Sequence, residues 1–145
     1  MLATAPVGPT GATASLPRHP RAARQARQVL ETVSASEGVL GYTAALLLSE
    51  VVSNAVRHSE GATLQLAVTW QETDRALVVA VFDCNAHMRD GVRSRDGAAD
   101  DLETGRGIDL LDALADDWGV STVGDSGKWV WFRLTQHADD APAGR

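Results

Sequence analysis

Glu50 and Asn54 put a carboxylate and a carboxamide four residues apart in Ser49-Glu50-Val51-Val52-Ser53-Asn54-Ala55-Val56-Arg57-His58, a stretch otherwise suited to a helix. At about 100° per residue, Glu50, Asn54 and Arg57 fall on one narrow stripe. Leu48, Val52, Ala55 and Ser59 fall on the opposite side, with Ala45 and Val56 close by. Oxygen ligands at i and i+4 suit a hydrated Mg²⁺, a hard cation that keeps several of its waters. Taken alone, the stripe is better explained as the solvated face of an amphipathic helix. The residues downstream reverse that balance.

Asp83 closes the apolar run Ala76 to Phe82. A carboxylate at a strand's exit either caps a turn or accepts a hydrogen bond from an exocyclic amine such as that of adenine. Gly105-Arg106-Gly107 stands directly before Ile108-Asp109-Leu110-Leu111, which has the pattern of a helix. Two glycines around one residue permit close backbone approach, the helix start offers free N–H groups to an anion, and Arg106 adds a charge suited to phosphate. A lone Gly-x-Gly is more often a flexible loop end. Cys84 and His87 have a metal-like spacing, but His19, His58 and His137 are scattered, which disfavours zinc. Ser53, His58 and Asp83 lack a nucleophile-elbow motif, which disfavours a hydrolase.

These residues need elements to hold them. A first helix is predicted from near Pro20 to about Ser34, and a second from Tyr42 to His58, with Gly61 just past its end. The period then switches to two. Leu64, Leu66, Val68 and Trp70 alternate with polar or small residues as a half-buried strand. Ala76 to Phe82 is apolar on both faces, as a central strand is. A long aperiodic stretch, 84–105, leads to a short helix, Ile108 to Leu114. Trp118 to Val123 and Lys128 to Leu134 form a hairpin across Gly124-Asp125-Ser126-Gly127. In the last strand, Trp129 and Trp131 share one face and Val130, Phe132 and Leu134 the other. The expected class is α+β, a two-layer α/β sandwich with three helices on one face of a mixed, mostly antiparallel sheet of four or five strands. A strand near Thr13–Leu16 would be the fifth. Residues 1–13 read as a flexible arm, 14–136 as the domain and 137–145 as a loose tail.

The 145 residues amount to one domain with a single core, and a hydrophobic fraction of 44% is enough to fold it. A net charge of −6 argues against non-specific nucleic-acid binding and against an anionic membrane surface. The single Cys84 excludes an internal disulfide framework and fits a reducing, cytoplasmic setting. No apolar run is expected to approach the ~20 residues of a membrane span.

In combination the motifs are far more specific than apart. Glu-x-x-x-Asn on a helix, Asp at a strand exit, a long loop and Gly-x-Gly at a helix start, in that order, resemble the GHKL ATPase superfamily, which includes gyrase and the ATP-binding domain of histidine kinases. Within it, the chain resembles the small stand-alone anti-sigma-factor serine/threonine kinases common in actinobacteria. Leu114-Ala115-Asp116-Asp117-Trp118-Gly119-Val120 and Gly127-Lys128-Trp129-Val130-Trp131-Phe132 extend the likeness. The resemblance implies ATP and Mg²⁺ as cofactors. It implies Glu50 as general base or water-positioning residue, Asn54 as metal ligand and Asp83 as reader of the adenine amine. Gly105, Arg106 and Gly107 would hold the phosphates, and 84–104 would be the lid. A sigma factor, a small STAS-type antagonist protein, or both, would be partners, with a homodimer through the sheet side in keeping.

The chain departs from the family in three places. Cys84-Asn85-Ala86-His87 replaces the Gly or Pro residues usual after the aspartate. The lid lacks a Gly-rich run and carries Arg89, Arg93 and Arg95. Trp129 stands where a Thr that helps hold adenine is common; three placements are open to it, stacked on the base, filling part of the pocket, or turned elsewhere. These departures motivate the competing reading, a non-catalytic partner-binding regulator with weakened nucleotide binding. A histidine-kinase fragment is disfavoured, since no helical segment with a phospho-acceptor His precedes the domain.

Overall fold

The computed structural model of the protein describes residues 3–6, 11–33, 38–84 and 106–136. In chain order the elements are β1 (Ala3–Pro6), β2 (Gly11–Pro17), α1 (Ala22–Leu30), α2 (Gly38–His58), β3 (Thr63–Gln71), β4 (Ala76–Asp83), α3 (Arg106–Leu114), β5 (Asp117–Val123) and β6 (Gly127–Thr135). They form one sheet in the order β1-β2-β3-β4-β6-β5. Every pair of neighbours is antiparallel, so the sheet is not mixed.

The period of two decides which face is covered. Ala12, Ala14 and Leu16 of β2 lie opposite Val68, Leu66 and Leu64 of β3. Leu77, Val79 and Val81 of β4 lie opposite Leu134, Phe132 and Val130 of β6. Nearly all of these are buried in one cluster with Ala26 and Leu30 of α1, Leu47, Leu48 and Val52 of α2, and Leu111 of α3. The three helices therefore cover one face of the sheet, as expected, and the central strand is β4 between β3 and β6.

The arm expected over 1–13 is instead partly sheet. Ala3–Pro6 pairs with Ala12–Ser15, and β2 begins at Gly11. The sheet thus has six strands rather than four or five. Pro6 lies on an edge strand, where proline is tolerated. Helix α2 begins at Gly38, four residues before the expected Tyr42, on a backbone with φ of +74° that glycine adopts without strain.

Helix α2 also corrects the expectation about apolar runs. Its 21 residues have the length and composition of a membrane span. Here it is the central helix of the layer, with Leu40, Gly41, Ala44, Leu47, Leu48, Val51, Val52 and Ala55 buried.

Short polar ties fix α2 in place. The Arg27 guanidinium donates to Ser49 Oγ at 2.8 Å, which clips α1 to α2. Arg18 donates to the Val56 carbonyl at 3.3 Å and to the Gly61 carbonyl at 2.6 Å. A cation thereby meets the unpaired carbonyls at the helix's C-terminal end. Trp118 Nε1 donates to Asp112 Oδ1 at 2.9 Å, joining β5 to α3.

Candidate functional site

The polar stripe of α2 is present as read. Leu48, Val52, Ala55 and Ser59 are buried, whereas Glu50 and Asn54 are half-buried and Arg57 is exposed. Helix α2 packs against α3 as well as against β4 and β6. Arg57 Nη2 donates to Asn54 Oδ1 at 2.5 Å. That oxygen is the atom a hard cation would take, so a metal there would displace an exposed guanidinium, which is an inexpensive exchange. Glu50 and Asn54 supply the oxygen donors that Mg²⁺ prefers, and in this respect the residues fit the ion.

Asp83 is the last residue of β4 and is only 2% exposed. It shares the covered face with Leu77, Val79 and Val81, so its carboxylate is on the helix side of the sheet. Opposite it in the ladder stands Lys128. Lys128 Nζ lies 2.9 Å from Asp83 Oδ1 and 3.0 Å from Oδ2, and both side chains are buried. A buried carboxylate needs such a partner, because an unpaired charge away from water is costly.

Gly127 lets the two strands close at this point. A Cβ on Gly127 would sit 2.1 Å from the Asp83 carbonyl oxygen and 2.8 Å from the Phe82 ring. No side chain fits there, and the close approach fixes the height at which Lys128 meets Asp83.

Trp129 does not point towards Asp83. It faces Phe82 across the ladder, with ring centroids 5.3 Å apart at a 57° tilt. The reason is parity: Lys128, Val130, Phe132 and Leu134 face the helices, which leaves Trp129 and Trp131 on the open face. Trp131 lies over Gly119, where a Cβ would come within 2.8 Å of the indole. Of the placements open to Trp129, the one found is turned away from Asp83, and Lys128 occupies the inward position.

Helix α3 starts at Arg106, two residues before the expected Ile108, so Arg106 and Gly107 form its first turn. Gly105 and the lid expected over 84–104 lie outside the described residues, apart from Cys84. His87 also lies outside them. The tail expected over 137–145 does too. A groove of about 220 Å³ between α1 and α2 is lined by Pro20, Ala23, Ser53, Val56 and Arg57, none of them an expected site residue.

Sequence reading missed Lys128 and Gly127 as site residues. A signal for the first was available. Lys128 is the one lysine of the chain, and it falls two residues before Val130 on the apolar side of the last strand.

A family model for the histidine kinase-like ATPase domain matches residues 16–134. No curated protein matches the chain at a significant level.

Proposed function

The chain belongs to the histidine kinase-like ATPase domain family, of the GHKL type, and from this we propose that it is an ATP-dependent regulatory serine/threonine kinase of the anti-sigma-factor kind. Membership implies ATP binding. The finer reading rests on one observation above all. Asp83 is a buried acceptor at the end of β4, in the domain whose α2 carries the Glu50/Asn54 stripe. Asp83 would accept from the adenine amine. Asn54 would hold Mg²⁺, which shields phosphate charge when bound. Gly105, Arg106 and Gly107 would receive the phosphates at the start of α3.

Glu50 would accept the proton of a serine or threonine hydroxyl as that oxygen bonds to the γ-phosphorus. The bridging P–O bond breaks in the same displacement, and ADP leaves. The protein substrate would be a small STAS-type antagonist, with a sigma factor as the second partner. The open sheet face bearing Phe82, Trp129 and Trp131 would suit a second copy of the chain. A cytoplasmic setting accords with this role.

Calorimetry with ATP, with and without Mg²⁺, tests the nucleotide reading on wild type and Asn54→Ala. We expect Mg²⁺-enhanced binding in wild type and loss of the enhancement in the variant. Transfer of labelled γ-phosphate to a purified STAS-type protein tests the kinase reading. The alternative, a non-catalytic regulator with weakened nucleotide binding, draws on the fact that Lys128 already engages both oxygens of Asp83. Absence of ATP binding by wild type would favour it.

A further inference from the structure

Lys128 has a donor to spare. An ammonium carries three N–H groups, and this one contacts two acceptors, both oxygens of a single carboxylate. Its side chain makes no other hydrogen bond among the described residues. Its side chain is only 7% exposed, so water cannot freely take the third N–H. Charge neutralisation accounts for a cation beside Asp83. It does not account for a third donor left over on that ammonium, held beside the carboxylate.

Acceptor and donor thus stand side by side at the ends of β4 and β6, on the face that the helices cover. The exposed edge of adenine offers the complementary pair: the N6 amine donates, and the adjacent ring nitrogen N1 accepts. We propose that Lys128 is a base-specificity residue of the nucleotide site, donating to adenine N1 while Asp83 accepts from N6. The proposal rests on the nucleotide reading given above and adds a direct protein donor to the base. Gly127 is part of the device, because only a residue without a Cβ lets β6 approach Asp83 closely enough to pair the two groups.

The test compares ATP with 1-deaza-ATP, in which N1 is replaced by C–H while the N6 amine, sugar and triphosphate are kept. Calorimetry with Mg²⁺ is run on the full chain, for wild type and Lys128→Met. Wild type should bind ATP about ten- to a hundredfold more tightly than 1-deaza-ATP, the loss expected for a hydrogen bond to a charged group. Lys128→Met should bind ATP more weakly and no longer distinguish the two. Equal affinity of wild type for the two nucleotides overturns the assignment, and that arm needs no variant to fold. Undiminished discrimination in a folded Lys128→Met overturns it as well. If wild type binds neither nucleotide, the nucleotide reading itself falls and the assignment with it. Binding of ATP without discrimination removes only the role of Lys128.

Discussion

Gly127 meets the backbone of Asp83 so closely that a methyl group on its Cα would lie 2.1 Å from the Asp83 carbonyl oxygen. Gly127→Ala must therefore push β6 off the end of β4. Strain of this kind costs about 1–3 kcal/mol. Urea denaturation should show that loss, and ATP affinity should fall with it because Asp83 and Lys128 are no longer held in register. Unchanged stability would show that the strand ends separate freely.

Breaking the Asp83–Lys128 pair from one side should be worse than removing it. Asp83→Ala or Lys128→Met strands one buried charge, at a cost of about 3–5 kcal/mol, whereas an apolar double replacement approaches neutrality. A double-mutant cycle on denaturation midpoints should give a coupling well above zero. Strictly additive losses would mean that the ion pair contributes nothing to the fold.

Asp83→Asn should weaken ATP binding more than Glu50→Ala does. Asp83 would contact the base in the ground state, whereas a general base acts mainly in the transition state. The expected loss for Asp83→Asn is about one to two decades in Kd. A larger loss on Glu50→Ala would exchange the two roles.

Arg57→Ala should strengthen Mg²⁺-dependent ATP binding. The guanidinium occupies Asn54 Oδ1, the oxygen assigned to the metal. Exposed contacts of this kind are worth about 0.2–1 kcal/mol, so the gain is limited to about fivefold. Calorimetry at several Mg²⁺ concentrations measures it, and a weakened dependence would give Arg57 a positive role at the phosphates instead.

Trp129→Ala should leave ATP affinity unchanged, since the indole packs on Phe82 on the sheet face opposite Asp83. Gly119→Ala should destabilise the fold by about 1–3 kcal/mol through overpacking against Trp131. Nucleotide titration and thermal unfolding separate the two effects.

What was legible in the sequence was periodic. The alternation of Leu64, Leu66, Val68 and Trp70 marked β3, and all four are buried. The stripe opposite Glu50 and Asn54 marked the buried side of α2. Strand β1 was not legible, because Ala3-Thr4-Ala5-Pro6 has no strong apolar pattern and depends on backbone pairing to β2. The partnership of Asp83 with Lys128 was hidden for a different reason. The two are 45 residues apart, and strand register over that span is a tertiary fact. The placement of Trp129 was open because the family likeness set it at the base pocket, whereas parity with Val130, Phe132 and Leu134 set it on the other side of the strand.

The ties around Gly61 act as a gauge. Its carbonyl takes the Arg18 guanidinium that also reaches the end of α2, and a Cβ placed on it would come within 3.3 Å of the Sγ of Cys84, the residue after Asp83. The turn after the helix and the exit of β4 thus lie against each other at one point, between the helix that carries Asn54 and the strand that ends in Asp83. A nucleotide held by both groups, as proposed, would have to span this joint.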